Sequence, residues 1–69
     1  MGKEGMMNGS VGERLKSLRG SRSQDDVAKA IGISQTALSN YENDIRTPRD
    51  GIKVLIANYY KRSVQSIFF

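Results

Sequence analysis

The chain has 69 residues, enough for one small domain that buries only about 60% of the surface its unfolded form exposes. It contains no cysteine and no histidine, which removes disulfides and the usual zinc ligands and leaves tight helix packing, with or without self-association, to stabilise it. Eleven Lys and Arg against seven Asp and Glu give a net charge of +4 and a pI near 9.8, the footprint expected of a nucleic-acid binder.

Residues 1–9 hold three glycines, an Asn and a Lys-Glu pair, and read as a flexible arm ahead of a domain spanning 10–69. They lack the apolar stretch of a signal peptide, and no run in the chain approaches the roughly 20 apolar residues of a membrane span. The expectation is a cytoplasmic protein with no membrane partner, no metal and no cofactor.

From Ser10 onward, Ser and Thr residues punctuate the chain as helix caps, each able to accept from an N–H that the first helical turn leaves unpaired. Ser10 with Glu13 spells a reciprocal capping box, and Ser23 with Asp26 a shorter version of it. Ser34 precedes a third run. Thr47 precedes Pro48, which is harmless at a first helical position. Ser63 opens the last and shortest run. The first run places Val11, Leu15 and Leu18 on one face and stops at Gly20. The second carries Val27, Ala30 and Ile31 and breaks at Gly32, suited to a left-handed helix end. The third turns Leu38 and Tyr41 inward and reaches Asn43, which tolerates the same geometry. The fourth shows Ile52, Leu55, Ile56 and Tyr59. The expected fold class is all-α, with five short helices and no strand pair.

The segment from Gln24 to Asn43 is the most informative. Two helices joined by a turn of three or four residues need a small residue where they touch, which Ala28 supplies. They need a residue free to adopt positive φ at the turn, which Gly32 supplies. Val27, Ile31, Ile33, Leu38 and Tyr41 are the apolar residues that would hold the pair together. The outer face of the third helix brings together Gln35, Thr36, Ser39, Asn40 and Asn43. A solvated face ordinarily mixes Lys and Glu, which support helices better. Gln and Asn pair in bidentate fashion with adenine, and Ser or Thr can meet either kind of base edge. Gln35, Thr36, Ser39 and Asn40 are therefore the candidate base contacts of a recognition helix over about 35–43.

This span resembles the phage-repressor and Cro-like (XRE-type) helix-turn-helix family. Ser23-Gln24, Val27-Ala28, Ile31-Gly32-Ile33-Ser34, Leu38 through Asn43 and Thr47-Pro48 carry the resemblance, which extends over Ser10 to Phe69. It implies a five-helix domain with a helix-turn-helix formed by helices two and three, the third docking in the major groove. It implies a transcriptional regulator, commonly a repressor, that binds double-stranded DNA as a homodimer. It assigns Gln24 and Asn43 to the phosphate backbone, Gln24 with base reach, and Gln35, Thr36 and Asn40 to base edges. Two departures stand out. The link from Arg19 to Ser23 is about two residues shorter than in many relatives, leaving both Arg19 and Arg22 as candidates to pair with Glu42. Asp44 stands where a glycine usually follows, placing an acidic group beside the expected backbone contact.

Arg46 and Arg49 flank Thr47-Pro48 and are candidate DNA backbone contacts together with the N-terminal amides of the fourth helix. Lys53 lies one turn further on. Asp25 and Asp26 read as helix-dipole partners. Tyr59, Tyr60 and Ile67-Phe68-Phe69 read chiefly as packing of the fifth helix, with Tyr60 and one terminal Phe as candidates for a two-fold contact. No motif of an enzyme is present. The competing reading is a protein-interaction module of the same fold, such as an antitoxin or co-regulator, which calls for exposed aromatics and Met where this chain has Gln, Thr, Ser and Asn.

Overall fold

Serine hydroxyls start four of the five helices in the computed structural model, which describes residues 9–69. Of the expected arm, residues 1–8 lie outside the described residues. Helix α1 spans Val11–Arg19, α2 Gln24–Ile31, α3 Gln35–Glu42, α4 Asp50–Tyr60 and α5 Val64–Phe68. There is no strand among the described residues. The Ser10 hydroxyl accepts from the Glu13 amide while the Glu13 carboxylate accepts from the Ser10 amide, the full capping box. Ser23, Ser34 and Ser63 accept from Asp26, Ala37 and Ser66. At Ser23 the cap runs one way only, since the shorter Asp26 side chain makes no return bond to the Ser23 amide.

The start of α4 corrects the expectation at Thr47. Its N-cap is Arg49, with no side-chain acceptor. The ring of Pro48 is buried, and the segment 46–49 that carries it is non-helical. A proline also disfavours the helical region for the residue before it. Arg49 still has extended geometry, ψ 161°, so helical backbone angles begin only at Asp50, although the Arg49 carbonyl accepts the first helical bond from the Lys53 amide at 2.9 Å.

Three helices end by the same device, a left-handed residue that lets later amides bond back to the last turn. After α2, Gly32 adopts φ 98° and the Ile33 amide donates to the Ala28 carbonyl at 2.9 Å. After α3 the left-handed residue is Asp44 (φ 59°), not Asn43, which stays at φ −101°. The Ile45 amide then donates to Asn40 and the Asp44 amide to Tyr41. After α4, Lys61 takes this role (φ 57°), with Arg62 donating to Ala57.

Leu15, Val27, Ala28, Ile31, Leu38, Ile56, Ala57, Ile67 and Phe68 form the core, drawn from all five helices. Helix α1 packs on α3 and α5, α2 on α3 and α4, and α4 on α5. Two expected inward residues are exposed. Ala30 faces solvent, and Ala28 takes the inward place between Val27 and Ile31. On α4 the buried stripe centres on Ile56 and Ala57, so Leu55 lies on its edge and remains 46% exposed. Among the described residues no further element covers it.

One close approach of helices was invisible to helical periodicity. Gly12, in the first turn of α1, is buried against the end of α3. A β-carbon there would collide with the Glu42 carbonyl and lie 2.8 Å from Asp44 Oδ2. In an open helix, Gly→Ala gains up to about 1 kcal/mol of helix propensity. Here the colliding atoms are backbone, and overpacking of this kind costs about 1–3 kcal/mol. Gly12→Ala is therefore expected to lower the urea unfolding midpoint despite its better propensity. An unchanged or higher midpoint would show that α1 and α3 can separate freely.

Candidate nucleic-acid interface

Helix α3 is eight residues long and presents two unlike sides. Leu38 and Glu42 are buried, Tyr41 and Ala37 half-buried. Gln35 and Thr36 are exposed, and Ser39 and Asn40 half-buried. Asn43, exposed, lies just beyond the last turn. The Asn43 side-chain Nδ2 donates to the Ser39 carbonyl at 2.9 Å and to its hydroxyl at 3.3 Å, tying these two residues into one unit. The side chains of Gln35, Thr36 and Asn40 make no hydrogen bond to another described residue, so their donors and acceptors are free for an outside partner. Gln35, Thr36, Ser39 and Asn40 thus lie on α3, with Asn43 at its C-terminal cap.

The expected backbone contacts divide. Arg46 and Arg49 are exposed and line an open cleft of about 370 Å³ with Tyr41, Thr47 and Ile52, beside the uncapped start of α4. Gln24, in the first turn of α2, is half-buried, and its side-chain amide donates to Glu42 Oε1 at 2.9 Å. Lys53, one turn after Arg49, is engaged within the fold instead. Its side chain is only 14% exposed, with the ammonium 3.7 Å from Asp50 and over the rings of Phe68 and Phe69.

Beneath the outer face of α3 sits a buried charge. Glu42 is 1% exposed. Arg19 meets it with a fork, Nε to Oε2 at 2.8 Å and Nη2 to Oε1 at 3.1 Å. This hydrogen-bonded carboxylate raises the Arg19 pKa further above its ordinary value, despite the opposing effect of burial. Arg19 is thus the partner of Glu42. Arg22 does different work: its Nη1 donates to the Tyr59 hydroxyl at 2.7 Å, and its Nη2 donates to the Leu18 carbonyl at the end of α1. The guanidinium lies 5.4 Å from the Tyr59 ring centre and 5.7 Å from that of Tyr60. The short link between α1 and α2 is held by Arg19 Nη1 donating to the Arg22 carbonyl. Half-buried Tyr60 has its pKa pushed up to about 12, mainly by burial and then by Glu42.

Asp44 does not point its charge at the cationic edge. Its carboxylate accepts from the Ser10 hydroxyl at 2.7 Å and from the Gly12 amide at 2.8 Å. Those bonds, the Ser10 one foremost, hold its pKa below the ordinary carboxylate value. The acidic group is thus turned to the start of α1, which carries the positive end of that helix dipole. Sequence reasoning singled out Asp44 but had no signal for this destination, and it missed Gly12 and Arg14. Arg14 Nη1 donates to the Ile67 carbonyl at 2.8 Å and ties α1 to α5.

A family model described as helix-turn-helix matches residues 15–67, most of the chain. No curated protein matches it. Among the described residues, no helix is long and apolar enough to cross a membrane.

Two outcomes are expected of the charges. Arg19→Ala strands the Glu42 carboxylate with Gln24 alone, and breaking a buried pair from one side costs about 3–5 kcal/mol. Against a total of about 5–15 kcal/mol, such a protein should be largely unfolded well below the parent melting temperature, read by circular dichroism. For Asp44 the folded pKa lies below the unfolded one. Its stabilising contribution is therefore complete above the ordinary carboxylate range, near pH 3.9, and is lost as pH falls through the folded value. Melts from pH 6 to pH 2 should show the gap between parent and Asp44→Asn closing with acid. A constant gap would detach the carboxylate from the fold.

Proposed function

The chain belongs to the phage-repressor and Cro-like helix-turn-helix family, and from that premise we propose that it is a sequence-specific regulator of transcription, acting as a repressor on duplex DNA. The observation that carries the reading is the outer face of α3: hydrogen-bonding side chains without charge, of which Gln35, Thr36 and Asn40 have no partner among the described residues, on a helix held from behind by the Arg19–Glu42 pair. A merely solvated face has no need of such residues, which lower helix propensity. In this reading Gln35, Thr36, Ser39 and Asn40 meet base edges in the major groove. Asn43, Arg46 and Arg49 meet the phosphate backbone, with the open amides of α4 adding to the last two. Gln24 reaches the backbone with the part of its amide that Glu42 leaves free.

The protein acts as a homodimer on DNA, with recognition helices about 34–36 Å apart and a nearly palindromic site. Exposed apolar side chains at Val54, Leu55 and Phe69 support self-association. They are equally compatible with a protein-interaction module, which the same experiment separates.

The test is selection from a randomised duplex pool at near-physiological salt. An enriched palindrome with half-sites one helical turn apart is expected. A single enriched half-site would remove the dimer, and no enrichment would overturn DNA reading in favour of a protein partner. On the selected site, Gln35→Ala or Asn40→Ala should cost about 1–3 kcal/mol and relax preference at one base step. Arg49→Ala should weaken all sequences alike and reduce the salt slope by about one unit. Equal losses on every sequence for all three variants would refute this division of roles.

A further inference from the structure

The turn that leaves α3 decides where Asn43 and Arg46 point, and its backbone conformation rests on Asp44. A residue with a β-carbon is disfavoured at φ 59°, and Asp is among the few that tolerate it. A glycine would take this conformation without strain, but it would also be free to leave it. What Asp44 adds is reach. Its side chain crosses to another helix and accepts from the Ser10 hydroxyl and the Gly12 amide, more than thirty residues away in sequence. The Gly12 amide is one of the donors that the first turn of α1 leaves unpaired. On the backbone side, the Ile45 and Arg46 amides both close onto the Asn40 carbonyl. The chain from Asn40 to Arg46 is thus bonded at one end to α3 and at its middle to α1.

Resting on the DNA reading above, we propose that Asp44 is a positioning residue, whose carboxylate clasps the end of α3 to the start of α1 and so holds Asn43 and Arg46 toward the phosphate backbone. The clasp also fixes Ser10 relative to the recognition helix, because Ser10 is both the cap of α1 and a partner of Asp44. An acidic residue at a cationic edge ordinarily works against phosphate binding. Here the carboxylate is occupied by two donors on α1, so its negative charge is countered where it sits.

The test compares Asp44→Asn with Asp44→Gly. Both remove the same charge, so any electrostatic gain toward DNA is common to both. Asn keeps the clasp in outline: its Oδ1 can accept from Gly12, its Nδ2 can donate to the Ser10 oxygen, and it tolerates positive φ. Gly keeps only the backbone conformation. On duplex selected from the pool, Asp44→Gly is expected to bind on the order of tenfold more weakly than Asp44→Asn, the scale of one lost charge-assisted contact. The loss should be shared by cognate and scrambled duplex, so that discrimination between them is unchanged. Hydrogen exchange at the Gly12 amide should be protected in the parent and in Asp44→Asn and fast in Asp44→Gly, with circular dichroism showing all three folded. Equal affinities for the two variants would overturn the positioning role while leaving the DNA reading intact. Fast exchange at Gly12 in the parent would overturn the clasp itself. A parent protein that binds no duplex would overturn the DNA reading, and the positioning role with it.

Discussion

Glu42 is a carboxylate taken out of water on the inner side of the same helix whose outer side is offered to solvent. Burying such a charge alone would cost several kcal/mol, and the fold meets that cost with a guanidinium fork and a side-chain amide. The donors arrive from α1 and from the first turn of α2. Arg19 also accepts the task of closing the link between those helices, by donating to the Arg22 carbonyl. One polar cluster therefore fixes three helices against each other at the junction where the outer face of α3 is aimed. A hydrophobic contact would hold these helices together with less directional demand. Two parallel N–H···O bonds fix an orientation as well as a distance, and orientation is what a short helix needs if it is to meet base edges.

That constraint explains why the surrounding turns are tight. With eight residues in α3, about two turns, an error at either end displaces half of its outer face. The beginning is set by the Ser34 cap and the left-handed Gly32. The end is set by Asp44, whose backbone reverses the chain and whose side chain anchors it to α1. Gly12 allows this last contact, since α1 and the end of α3 come too close there for a side chain.

The legible parts of the sequence were those governed by local chemistry. Ser10, Ser23, Ser34 and Ser63 announce helix starts because capping needs only a hydroxyl a few residues ahead of its donor. Ala28 and Gly32 announce the helix-turn-helix because a tight crossing has few solutions. Five helices and the face of α3 follow from these. Thr47 misled because a Thr-Pro pair is a start signal only when the proline ring can sit in the first turn, whereas Pro48 is buried in the preceding segment. Leu55 and Ala30 misled because periodicity gives a stripe but not its width, which depends on how many neighbours exist to cover it. The choice between Arg19 and Arg22 was beyond local rules altogether. Arg19 closes α1 and Arg22 lies three residues on in the link, and the position of Tyr59 and Tyr60 across the core gives Arg22 its separate role.

The distribution of charge follows from the same geometry. The protein carries a net charge of +4, yet the outer face of α3 has no charged residue from Gln35 to Tyr41. Arg46 and Arg49 follow that face in the chain, exposed beside the start of α4, while Arg19, Arg22 and Lys53 are engaged within the fold by Glu42, Tyr59 and the terminal phenylalanines. Cations at the centre would attract any phosphate regardless of sequence. Cations at the rim supply attraction without competing for base edges, and leave discrimination to groups whose hydrogen bonds have direction. On the proposed reading, affinity and selectivity are thus assigned to different residues of one short stretch, Gln35 to Arg49. The two parts meet at the turn after α3, so the residue holding that turn bears on how both engage at once.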